Sequence, residues 1–86
     1  MSRIVIYTTA FCPYCHAAKD LLKDKGAEFS EIDVSLDPEE RQRMTDRAGG
    51  RRTVPQVFIG ERHVGGATEL YELDRKGELD PLLASS

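Results

Sequence analysis

Thr9-Ala10-Phe11-Cys12-Pro13-Tyr14-Cys15-His16 holds both cysteines of the chain, two residues apart. The stretch follows the apolar run Ile4 to Tyr7 and precedes a helical pattern running to Lys25, so the pair sits at a strand-to-helix junction. In a chain that alternates strand and helix patterns, a Cys-x-x-Cys at such a junction points to thiol–disulfide chemistry. The spacing suits that chemistry. Residues three apart on a helix have Cβ atoms roughly 5 to 6 Å apart, and a disulfide needs about 3.5 to 4.5 Å, so a slightly distorted first turn can close it reversibly. Cys12 then falls at the N-cap, where unpaired backbone N–H groups and the positive end of the helix dipole favour a thiolate. Cys15, one turn inside, gains less. Position thus makes Cys12 the attacking thiolate and Cys15 the resolving thiol. The spacing leaves a static disulfide or half of a zinc site open as alternatives.

Composition bounds the partners. Eighty-six residues, 40% of them hydrophobic and 31% charged, suit one globular domain over residues 1–86. A domain of this size buries only about 60% of its chain surface, which limits it to one modest core. Net charge is −3 with both signs interspersed, and Arg51-Arg52 is too short for a basic patch, so a nucleic-acid-binding face is not expected. The longest apolar run, Ile4 to Tyr7, is too short for a transmembrane helix or a signal-peptide core. With no export signal ahead of the cysteines, the expected compartment is the reducing cytoplasm, where such a pair is more often catalytic or metal-binding than structural.

Outward from the cysteines, Arg3 to Thr8 is β-branched and aromatic without alternation, the pattern of a strand buried on both faces. The following helix starts with Pro13 at its first position, carries Ala17, Ala18, Leu21 and Leu22 on one face, and stops at Gly26. Glu28 to Val34 reads as a second strand, parallel to the first because a helix separates them. Asp37-Pro38-Glu39-Glu40 starts a second helix running to about Ala48. Only Met44 and Ala48 are apolar on it, so it is expected on the surface with little share in the core. Gln56 to Ile59 and Arg62 to Val64 flank Gly60-Glu61, the pattern of a tight antiparallel hairpin. After Gly65-Gly66, Thr68 is expected to cap a third helix to Lys76, and Asp80-Pro81 a last turn that tucks in Leu82 and Leu83. The order β-α-β-α-β-β-α predicts an α/β, thioredoxin-like fold with a four-stranded mixed sheet. Cys12 then lies at the C-terminal end of the first strand, where ligands bind in open α/β sheets. Composition alone favours a trans Pro55, since only about 5 to 6% of X–Pro bonds in folded proteins are cis.

Cys12-Pro13-Tyr14-Cys15, Thr53-Val54-Pro55 and Gly65-Gly66, in register along this order, resemble the dithiol glutaredoxins. From residue 3 to 83 the chain is similar to the small bacterial glutaredoxin 3 type. The resemblance implies a glutathione-dependent disulfide oxidoreductase, monomeric, with no covalently bound cofactor and no metal. Glutathione would serve as reducing co-substrate, and glutathionylated or disulfide-bonded proteins, ribonucleotide reductase among the candidates, as substrates. It further implies a cis Pro55 facing the thiols, with Thr53 and Val54 lining a groove in which the Val54 backbone pairs with the cysteine of glutathione. Tyr14 would line the same groove. The turn Gly66-Ala67-Thr68-Glu69 would receive the γ-glutamyl end, and helix N-termini do bind carboxylates. Two positions depart from the family. Thr9 stands where many members carry lysine, and Thr68 where many carry aspartate. Arg51, with Arg52 as substitute, is therefore expected to hold the glycine carboxylate. His16 and His63 read as structural or solvated. The competing readings are reduction by thioredoxin reductase instead of glutathione, and a [2Fe–2S] carrier in which Cys12 and glutathione ligate a cluster across a dimer.

Overall fold

The computed structural model describes residues 3 to 84; Met1, Ser2, Ser85 and Ser86, the ends of the expected 1–86 domain, lie outside the described residues. The elements are β1 (Ile4–Thr8), α1 (Pro13–Asp24), β2 (Ser30–Asp33), α2 (Pro38–Arg47), β3 (Gln56–Ile59), β4 (Arg62–Gly65), α3 (Ala67–Arg75) and α4 (Leu79–Ala84). They build a four-stranded sheet in the order β2-β1-β3-β4. β2 runs parallel to β1, while β3 and β4 are antiparallel to their neighbours, so the sheet is mixed as expected.

Because strand side chains alternate between faces, the sheet has two cores. Ile4 and Ile6 of β1, with Val57 and Ile59 of β3, pack against Ala18, Leu21 and Leu22 of α1, Leu70 of α3 and Leu79 of α4. On the other face Tyr7 and Phe58 meet Val34 together with Met44 and Ala48. The thin apolar face of α2 therefore contributes more than its composition suggests. Met44 is fully buried, because one unbranched side chain suffices for a pocket already walled by two aromatic rings. Arg47 closes the same face, its guanidinium 4.3 Å from the Phe58 ring centroid and its Nη1 3.0 Å from the Tyr7 hydroxyl.

Other boundaries differ from expectation in ways that matter for the site. β4 continues through Gly65, which pairs with Val57 at φ 116°, a backbone region that favours glycine. α3 takes Gly66 rather than Thr68 as its N-cap, and Thr68 is the second residue of the helix. The reason is electrostatic: the Glu69 carboxylate turns back to accept the Gly66 N–H at 2.8 Å, a bond that needs no side chain on the cap. β2 begins only at Ser30. α4 begins at Leu79, whose side chain is fully buried while Leu82 and Leu83 are half-buried.

Candidate active site

Beyond β1, the loop Thr9 to Phe11 brings Cys12 to the C-terminal edge of the sheet, where it caps α1 in an extended conformation with Pro13 next in line. Cys12 and Cys15 are paired as a disulfide, their Cα atoms 5.2 Å apart. The Cys15 N–H donates to the Cys12 sulfur at 3.1 Å. That bond is the local device that favours a thiolate at Cys12 on reduction, since a charged acceptor strengthens it. Exposure separates the two sulfurs as well: Cys12 is 8% exposed and Cys15 only 1%.

Thr53-Val54-Pro55 faces the sulfurs from the neighbouring strand. The Val54–Pro55 peptide is cis, against the compositional expectation and in line with the family resemblance. The Cys12 sulfur lies 3.8 Å from the Val54 carbonyl oxygen. From there a shallow groove of about 150 Å³ runs between Tyr14 on α1, Arg51 with Thr53 to Pro55 ahead of β3, and Gly66 to Glu69 at the start of α3. The groove thus brings together the residues singled out around the cysteines. At its far end Glu69 also binds Arg51, Oε1 to Nη1, at 3.0 Å. The Gly66 N–H, and after it the Arg51 guanidinium, hold the Glu69 carboxyl below its ordinary 4.5.

Since β1 is flanked by β2 as well as β3, Cys12 has a second flank. Thr9 and Phe11 there meet Ser35 and Leu36, the loop after β2, and Arg41 of α2 around a depression of about 450 Å³. Ala10 N–H donates to Ser35 Oγ at 2.8 Å, and Arg41 Nη2 donates to the Arg52 carbonyl at 3.1 Å. Arg41 is a cation on this flank that sequence reading did not single out. The available signal was its place one turn after Asp37-Pro38, because a helix that starts just past β2 points its first turn at the edge carrying Cys12. Arg51 instead stands at the α3 end of the groove, and Arg52 is exposed. Another cavity, of about 680 Å³ among Arg3, Asp24, Lys25 and Asp80, lies by Ile4 at the opposite end of β1, away from the sulfurs.

His16 is exposed on the first turn of α1. His63 stacks on Phe58 with ring centroids 4.9 Å apart, and burial, more than the nearby Arg51, lowers its pKa below 6.5. No three His, Cys, Asp or Glu side chains among the described residues are grouped so as to hold a metal ion.

Comparison with known proteins fits this geometry. The Glutaredoxin family model matches residues 4–64. Glutaredoxin 3 of Escherichia coli K12 is 49% identical over 96% of this chain and 99% of its own length. The solution structure of glutaredoxin from Brucella melitensis superposes with a TM-score of 0.83 at 55% identity, covering 96% of this chain and 89% of that one. A crystal structure of a buckwheat glutaredoxin–glutathione complex superposes with a TM-score of 0.87 at 31% identity, over 96% of this chain and 77% of that one. The chain belongs to the glutaredoxin family of thiol–disulfide oxidoreductases, and its Cys12-Pro13-Tyr14-Cys15 is a dithiol redox site.

Proposed function

We propose that this protein reduces glutathione mixed disulfides and protein disulfides at the expense of glutathione, with Cys12 as nucleophile and Cys15 as resolving thiol. The observation that carries the reading is the groove itself: Val54, whose carbonyl oxygen lies 3.8 Å from the more exposed sulfur, lines it at one end, and the N-terminus of α3 lines it at the other. The buckwheat relative was crystallised with glutathione, which makes that tripeptide the ligand to test.

In this reading Val54 pairs with the cysteine of glutathione as an added strand. Thr53, Pro55 and Tyr14 wall the groove. The γ-glutamyl carboxylate meets the first-turn N–H groups of Ala67 and Thr68, which have no acceptor within α3, beside the Gly66 cap. Arg51 adds positive charge at that end, while Glu69 takes the amino group. We assign the glycine carboxylate to Arg41, because it shares a depression with Thr9, the position where the family resemblance would put a lysine. The cation is thereby displaced from the loop after β1 to α2.

The reaction is two successive thiol exchanges. The Cys12 thiolate attacks the glutathione sulfur of a protein–glutathione disulfide; the protein thiolate leaves and takes a proton from water, and glutathione remains on Cys12. A second glutathione thiolate attacks that adduct, forms glutathione disulfide and frees Cys12. With a protein disulfide, Cys12 forms a mixed disulfide with the substrate. Cys15 then attacks the Cys12 sulfur, releasing the protein dithiol and leaving the Cys12–Cys15 pair for two glutathiones to reduce.

The test is a pair of variants assayed with glutathione and glutathione reductase. Cys15→Ser should keep removal of glutathione from a glutathionylated peptide and lose reduction of a protein disulfide. Cys12→Ser should lose both. Equal turnover with thioredoxin reductase in place of glutathione would overturn the glutathione reading, and loss of deglutathionylation in Cys15→Ser would overturn the single-thiol route.

A further inference from the structure

Gln56 is a fully buried polar side chain at the first position of β3. Its amide nitrogen donates twice into the preceding turn, to the Thr53 carbonyl at 2.9 Å and to the Thr53 hydroxyl at 3.2 Å. Both donors being used, its carbonyl oxygen must accept, and it does so from His63 Nε2 at 2.6 Å. This fixes the ring: Nε2 carries the proton. The ring is held in place by stacking on Phe58, 28° from parallel, and the Arg47 guanidinium lies 4.3 Å from the centroid of the same Phe58 ring. The result is a continuous line of contacts from the core to Thr53. The next residue, Val54, presents the carbonyl that lies 3.8 Å from the Cys12 sulfur.

We propose that Gln56 and His63 are positioning residues: together they lock the Thr53 end of the Thr53-Val54-Pro55 segment and so fix the distance and direction of the Val54 backbone relative to Cys12. Neither touches the reacting sulfurs. The proposal rests on the reading of that segment as the glutathione platform, and it adds what holds the platform in place. A lone exposed turn ahead of a strand samples many backbone states. Two bonds on one residue, from a buried amide whose own orientation is fixed by a stacked ring, remove that freedom before the ligand arrives, which lowers the cost of binding.

The experiment uses the full chain and a glutathionylated peptide, with kcat and KM measured for wild type, Gln56→Met, His63→Phe and His63→Gln. Gln56→Met keeps length without donors. His63→Phe keeps a ring on Phe58 without its N–H. His63→Gln restores a donor. KM should rise about fivefold in Gln56→Met and His63→Phe, the effect of ~1 kcal/mol, with kcat falling by less than about twofold, and His63→Gln should return KM to near the wild-type value. Thermal melts are run alongside. A lowered Tm with KM unchanged would mean a purely structural role and would overturn the proposal, as would failure of His63→Gln to restore KM. The amide NMR signals of Thr53 and Val54 separate this outcome from failure of the groove reading. If forming the glutathione adduct on Cys12 in the Cys15→Ser variant leaves them unmoved, the platform itself is wrong; if they move while KM stays at wild type in both disabling variants, only the positioning role is wrong.

Discussion

Cys12 and Cys15 differ by one helical turn, and the difference is chemical. A thiolate at Cys12 accepts the Cys15 N–H and sits at the positive end of α1, whereas Cys15 is enclosed in protein, which disfavours its charged form. After reduction, Cys12 should therefore ionise well below the free thiol value of about 8.5. Iodoacetamide at neutral pH should alkylate Cys12 first, as read by peptide mass mapping; equal rates at both sulfurs would contradict the role assignment. Arg41 makes the second claim at this scale. A hydrogen bond between charged groups contributes about 1.5 to 3 kcal/mol, and solvent screening at an exposed arginine reduces that to about 1. Arg41→Ala should thus raise KM for a glutathionylated peptide about fivefold, shrinking with added salt. Amidating the glycine carboxylate of the substrate should abolish the difference between variant and wild type, and a difference that survives amidation would move Arg41 out of the site.

Around the start of α3, Gly65, Gly66, Glu69 and Arg51 share one electrostatic knot. Gly65 must be glycine both for its φ of 116° and because a Cβ there would come within 2.5 Å of Glu69 Oε1. Gly66 caps, Glu69 closes back on it, and Arg51 secures Glu69 from outside. Sequence reading recognised Gly65-Gly66 and Glu69 but placed the cap at Thr68, because threonine is a good N-cap by side chain while the closing bond here comes from a glutamate three residues after a glycine. The knot has a pH dependence of known sign. The folded pKa of Glu69 lies below its ordinary 4.5, so its charge stabilises the fold above that value, and the stabilisation is lost as pH falls through the lower, folded value. Glu69→Gln should therefore be less stable than wild type in urea titrations at pH 7, with the gap narrowing by pH 3. A gap that widens in acid would show that Glu69 is not held in its charged form.

In the whole molecule the sheet divides the stabilising apolar contacts unequally, and only the larger half was legible in the sequence. The stripe Ala18, Leu21, Leu22 on α1 announces the first core through spacing alone. The second depends on contacts between distant residues: Tyr7 and Phe58 meet edge-on with centroids 5.7 Å apart, and α2 adds Met44. No local period reveals that one methionine completes a cluster, or that an arginine rather than an aliphatic residue covers it. The division matters for function because Val54 packs against this second cluster, whereas Leu79 belongs to the first, on the opposite face. Truncating either buried side chain to alanine should destabilise by about 2 to 5 kcal/mol through transfer and cavity terms. The kinetic consequences should differ. Met44→Ala loosens the layer on which the Val54 turn rests, so KM for a glutathionylated peptide should rise as well as the urea midpoint fall. Leu79→Ala should lower the midpoint with KM unchanged, measured well below its unfolding transition. Equal KM in the two variants would show that the second core supports the fold without supporting the site.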